Sequence, residues 1–247
     1  MNTAALLGLY HADRVLAWEN GHSVTYGRFL SDVENLADLL PEKPTVINLA
    51  DDRYQFLVGF AAALVRGQTT LLPLSRAPGA LAQIAREYGN SYCLVDGTQQ
   101  VEPLPSYQIP KGTGSPTDTV KVPQIPIDHP AIMAFTSGST GSPHPHFKTW
   151  GSLVAVARST GARLGLMSSD QTTVVATVPH QHMYGLETSI LPIGLTPKDT
   201  TSRRAWVLGC LPPHYPWGIR SQPDRQYLHY ASHSTWDGVS CGAAAVS

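Results

Sequence analysis

Cysteine is scarce in this chain of 247 residues: Cys93, Cys210 and Cys241 are odd in number, and no two of them stand at a CxxC spacing. That argues against a disulfide scaffold and a cysteine-based zinc site, and it fits a reducing compartment. Charge is sparse as well. Only 14% of residues are charged and the formal net charge is -1, so the chain has neither the basic footprint of a nucleic-acid binder nor an acidic tail. Any polyanion must be held by local geometry. Long hydrophobic runs are missing, since no segment approaches the roughly 18 uninterrupted apolar residues of a spanning helix. The opening MNTAALLGLYHADR has no basic residue ahead of its apolar stretch, which is too short for a signal-peptide core. The expectation is a soluble cytoplasmic protein with no membrane span and no nucleic-acid partner.

What is present is a strand and helix rhythm. RVLAWENGHSVTY sets two β-prone runs around Asn20 and Gly21 and reads as a hairpin. From Tyr26, the residues Phe29, Val33, Leu36, Ala37 and Leu40 recur at helical spacing, with Pro41 as a stop. TVINLA, TTLLPL and SYCLVD follow as buried strands. Between them lie a helix opened by Asp51 or Asp52 and closed by Gly67, and another from near Pro78 to Gly89. Such alternation predicts an α/β fold of layered, mostly parallel sheets flanked by helices, with continuous apolar strands because both sheet faces are covered. Residues 97 to 130 are rich in Pro, Gly and Thr and read as a surface excursion. AIMAFT is then a strand, TWGSLVAVARSTGARLGL a helix and TTVVATVP the next strand. HQHMYG reads as a loop, and LETSILPIGL as the start of a further helix.

Between AIMAFT and the helix lies TSGSTGSP, composed only of Gly, Ser, Thr and Pro. Backbone N–H groups of a Gly-rich turn after a strand can converge on a phosphate, and Ser and Thr hydroxyls add donors. Gly138 and Gly141 permit backbone angles closed to other residues. The loop suits the phosphates of ATP. It is not a Walker A loop, because Ser142 and Pro143 follow Gly141 where Lys and Ser/Thr are required. Nor is it a GxSxG nucleophile elbow, because Ser139 lies between Gly138 and Thr140. The pairs His144/His146 and His180/His182 leave a zinc site as an alternative, although nothing in their spacing demands one.

FTSGSTGSP resembles the phosphate-binding signature of the AMP-forming acyl and aryl-acid ligases, the superfamily of acyl-CoA synthetases, peptide-synthetase adenylation domains and luciferases. The family's loop is Thr-Ser-Gly-Ser/Thr-Thr-Gly followed by Pro-Lys. The resemblance implies that Thr136, Ser137, Gly138, Ser139, Thr140 and Gly141 bind ATP phosphates. His144 stands where the lysine is usual, and Lys148 is the first cation after it. Two readings of Lys148 stay open: it reaches back to the phosphates, or it is an exposed residue of the next helix. VPHQHMYGL is similar to the family segment that builds part of the acyl-binding wall, with His182, Tyr184 and Gly185 in its key positions. Weaker likeness runs back through WENGHSVTYGRFLSDVENLADLL, so that the resemblance covers about residues 10 to 195. The short opening, the absent Pro-Lys and the PHPHFKTW continuation look more like the small acyl or aryl-acid ligases of aryl-polyene and fatty-acid type pathways than like luciferases.

The implied chemistry joins a small carboxylic acid to ATP, with Mg²⁺, to give an acyl-adenylate and pyrophosphate. The thiol of CoA or of a phosphopantetheinyl carrier protein then takes the acyl group. Positioning and charge neutralisation carry such a reaction. The family's later segments are an aromatic-Gly-x-Thr-Glu stretch for adenine and metal, a ribose-binding aspartate and a lid lysine, and none occurs between Thr196 and Ser247. The expectation is that residues 1–195 are a partial N-terminal adenylation (AMP-binding) domain, the incomplete N-terminal part of the adenylate-forming ligase fold. Residues 196–247 read as an atypical tail, frameshift read-through or disordered, with a genuine Pro-rich extension as the alternative. On this reading the chain is a truncated ligase with no assigned catalytic residue; the alternative is a non-catalytic ATP-binding or interaction fragment.

Overall fold

The structure is a computed structural model that describes residues 2–8, 11–19, 22–98, 100–112, 121–136, 144–164, 172–176, 179–195, 205–207 and 226–230. Two short strands, β1 (Thr3–Ala5) and, far along the chain, β8 (Gln124–Pro126), pair antiparallel. The hairpin forms as the sequence predicts, with β2 (Val15–Glu19) antiparallel to β3 (His22–Thr25). Helix α1 (Tyr26–Leu39) starts at once because the Thr25 hydroxyl accepts from the backbone N–H of Arg28 at 3.2 Å, taking up one of the unpaired donors of a helix start.

The main sheet has six strands in the order β10, β9, β5, β4, β6, β7. Its parallel members are β4 (Thr45–Asn48), β5 (Thr69–Leu72), β6 (Ser91–Val95), β7 (Ser106–Gln108) and β9 (Pro130–Thr136). Antiparallel β10 (His144–Thr149) closes one edge. Both sheet faces are covered, which is why its strands read as unbroken apolar runs. Val46, Leu72, Tyr92, Leu94 and Ile132 point into one core with Phe56 and Phe60 of α2 (Arg53–Val65). Their neighbours Ile47, Leu71, Cys93, Val95 and Met133 point the other way, onto Leu81 and Ile84 of α3 (Pro78–Glu87).

Helix α2 is buried almost all round, as a helix without a polar face must be. Asp52 caps it, accepting from the N–H of Gln55 at 2.9 Å, and Gly67 ends it at φ +70°. Helix α4 (Trp150–Arg163) is capped by Thr149 and adds Trp150, Leu153 and Ala157 to the larger core. Past it come β11 (Thr172–Ala176), α5 (Met183–Gly185), a π turn over Leu186–Ile190, and α6 (Leu191–Leu195). A second sheet of five strands has the order β13, β11, β12, β2, β3, where β12 (Ala205–Val207) and β13 (Gln226–Tyr230) come from the tail.

The structure differs from the sequence reading in three places. Residues 97 to 130 are not all surface: β7 extends the main sheet, and Leu104, Ile109 and Ile125 are buried. These apolar residues are isolated between prolines, so no period announces them. The Gly-rich loop does not run from a strand directly into a helix, because β10 intervenes. Its text, HPHFKT, lacks the β-branched pattern of a strand, and Pro145 and Lys148 suit an edge that discourages further pairing. The HQHMYG segment turns helical already at Met183. Among the described residues no helix is long and apolar enough to cross a membrane.

Candidate functional site

The loops that leave the carboxyl ends of β4, β5 and β9 gather at one end of the main sheet, where open α/β sheets place their ligands. Thr136 is the last residue of β9, and it pairs with His144, the first of β10. The Gly-rich loop therefore leaves and re-enters the sheet between directly opposed residues. Ser137, Gly138, Ser139, Thr140 and Gly141 lie outside the described residues.

Lys148 is on β10, not in α4, which begins two residues later. It stands opposite Ile132, four residues beyond the Thr136/His144 pair. At a rise of about 3.3 Å per residue, its α-carbon lies about 13 Å along the strand from the loop mouth. Its ammonium is 3.7 Å from Oε1 of Glu187, in the π turn. That oxygen is buried and accepts no hydrogen bond among the described residues. Of the two roles open for Lys148, the geometry describes neither in full: it joins the loop's return strand to the segment that follows Tyr184.

That segment is held tightly. Gly185 packs on the carbonyl of Pro179 so closely that a β-carbon at 185 would sit 2.1 Å from that oxygen. His182 and Tyr184 face solvent, Tyr184 with 58% of its surface exposed, while Gly185 is buried. His180, two residues before His182, points inward. The two histidines thus present no common face, and among the described residues no group of three or more His, Cys, Asp or Glu is placed to hold a metal ion.

The inward histidine belongs to a cluster that the sequence reading missed. The carbonyl of Ala50, just past β4, is approached by Nε2 of His180 at 3.1 Å, Nε2 of Gln181 at 3.0 Å and a guanidinium nitrogen of Arg76 at 3.2 Å. Arg76 also pairs with Asp51. Below, Asn48 is fully buried; its amide donates to the Phe56 carbonyl at 2.8 Å, and its oxygen accepts from the N–H of Ala50 at 3.2 Å. The His180 ring meets Phe56 edge to face at 4.7 Å. Burial pulls the His180 pKa down to about 4; the bond to Ala50 works against this, and Arg53 and Arg76 add to it. The ring is neutral near pH 7. Beside this cluster lies a cavity of about 290 Å³ whose lining includes Leu49, Pro73, Ser75, Arg76, Gln181 and His182.

A family model described as AMP-binding enzyme matches residues 8–196. A sequence search of curated proteins gives no match. Among solved structures, o-succinylbenzoate CoA synthetase (MenE) of Bacillus subtilis, in complex with ATP and magnesium ion, superposes with a TM-score of 0.58 at 18% identity, over 78% of this chain and 55% of that one. The N-terminal subdomain of Klebsiella oxytoca NpsA, in complex with 3-hydroxybenzoyl-AMSN, gives 0.57 at 16% identity, over 81% and 51%. A malonyl-CoA ligase with methylmalonyl-CoA and AMP bound gives 0.60 at 19%, over 78% and 42%. These likenesses are of fold, and the chain spans about half the length of the structures it matches. With the α/β architecture and the family match over residues 8–196, the chain belongs to the AMP-binding enzyme family.

Proposed function

We propose that this chain takes part in AMP-forming ligation of a small acyl or aryl carboxylic acid. ATP with Mg²⁺ and the acid would give an acyl-adenylate and pyrophosphate, and the thiol of CoA or of a phosphopantetheinyl carrier protein would accept the acyl group. The observation that carries the reading is the family match running through a Thr136–Gly141 loop at the carboxyl end of a parallel strand. Thr136, Ser137, Gly138, Ser139, Thr140 and Gly141 supply hydroxyl and backbone N–H donors suited to an anion. His182 and Tyr184, held outward by Gly185, form a wall for the acyl group. Residues 1–195 carry this role, in a reducing cytoplasm.

One observation favours a second reading, an ATP-binding chain without turnover. Lys148, the first cation after the loop, is paired with Glu187 well away from the loop mouth. Thermal unfolding with and without MgATP, alongside ATP–pyrophosphate exchange over a panel of carboxylic acids, separates the two. Ligation gives protection and acid-dependent exchange; binding alone gives protection only. Gly138→Val with Gly141→Val should abolish protection under both readings, and protection that survives this change overturns the loop assignment.

A further inference from the structure

We infer that the Ala50 carbonyl is a hub joining the loops after β5 and β11, and that His180 is the positioning residue that, acting through it, sets the place of His182 on the cavity rim. The inference rests on the proposed reading of His182 as acyl wall. Three side chains from two loops converge on one carbonyl that has two lone pairs. Ala50 itself cannot shift freely, since its N–H is bound by Asn48, which is tied to α2 through Phe56. For Nε2 to donate, His180 must be the Nε2–H tautomer. Its ring is fixed from the side by Phe56. Between this anchor and the helical segment after it, the chain makes a tight turn in which the N–H of His182 donates to Pro179 at 3.3 Å and its carbonyl accepts from Leu186 at 3.0 Å. With both ends of the turn fixed, His182 has little freedom of its own, and Gln181 beside it donates to the same carbonyl. The cavity is lined from one side by Ser75 and Arg76 and from the other by Gln181 and His182, so the hub couples its two walls.

The test is NMR of the ¹³C-labelled imidazole of His182 in the full chain, assigned with His182→Gln. His180→Phe keeps a ring against Phe56 and removes the N–H, and should move the His182 signal by more than its linewidth. His180→Gln, which returns an N–H near the same place, should restore it. Gln181→Leu, at a half-buried residue, should shift the signal in the same direction and carries the comparison if His180→Phe does not fold. Leu36→Ala, at a buried core residue of α1 outside the hub, should lower stability yet leave the signal in place. An unmoved signal in every folded hub variant, or an equal shift in Leu36→Ala, overturns the inference. MgATP protection of the unaltered chain is scored separately: its failure would sink the ligase reading and leave the imidazole comparison standing.

Discussion

Gly185 and Pro179 meet backbone to backbone, so that a β-carbon on residue 185 would also lie 2.8 Å from the Pro179 carbonyl carbon and 3.2 Å from the α-carbon of His180. Real β-carbons do not come so close to main chain, and no rotamer change can relieve the clash. Gly185 is thus required by approach, its φ of -63° being ordinary. Gly185→Ala should cost more than about 2 kcal/mol, against a helix-propensity gain of at most about 1 kcal/mol. Urea unfolding measures it. A neutral substitution would mean that the turn can open without loss.

Asn48 and Gly59 form a similar pair inside the core. A β-carbon at 59 would sit 2.8 Å from the Asn48 amide nitrogen, which is already committed to the Phe56 carbonyl. Gly59→Ala should therefore destabilise by about 1 to 3 kcal/mol, and Asn48→Ala by about 2 to 3 kcal/mol, through loss of two bonds to buried backbone groups. Because the first change disrupts what the second removes, the double variant should lose less than the sum. Strict additivity in a double-mutant cycle would show that the amide makes way for the methyl group.

Lys148 and Glu187 give a weaker, solvent-screened pair. The two side chains retain 41% and 22% of their exposure, and 3.7 Å is too long for a hydrogen bond. Coupling between Lys148→Met and Glu187→Gln should be about 0.5 kcal/mol and should fade with added salt. Lys148→Met should also leave MgATP protection within about twofold, given the roughly 13 Å between its α-carbon and the loop mouth. A tenfold loss of nucleotide affinity would instead return Lys148 to the phosphates.

How much of this was legible in the sequence varies with the length scale of the signal. Strong local signals were readable: the pairing of β2 with β3, the caps at Asp52 and Gly67, and the buried strands all stand as the text predicts. Strand β10 was not, because a strand that pairs on one side only needs no apolar alternation, and HPHFKT has none. The loop motif and the HQHMYG segment stood out because their residue types are unusual where they occur. The Ala50 hub could not. It rests on a backbone carbonyl, which has no sequence signature, and on Arg76 and His180, which are 104 positions apart in numbering and meet only through the fold. The only textual hint was His180 directly after Pro179 at the end of an apolar strand, which reads equally well as an exposed loop residue.

His180 makes the pH dependence of this fold predictable in sign. Its pKa is about 4 in the folded chain against 6.5 when free, so between those values the unfolded chain binds more protons. The neutral ring's contribution to stability is complete above about pH 6.5 and is lost as pH falls from there toward 4. The shift corresponds to a loss on the order of 3 kcal/mol. His180→Phe has no proton to gain and should flatten this part of the profile. Urea midpoints at pH 7.5, 5.5 and 4.5 for both proteins make the comparison, and the difference between them should narrow or reverse as the solution is acidified. Parallel profiles would mean that the imidazole is not held neutral by burial, and that the acid sensitivity of the chain lies in its carboxylates.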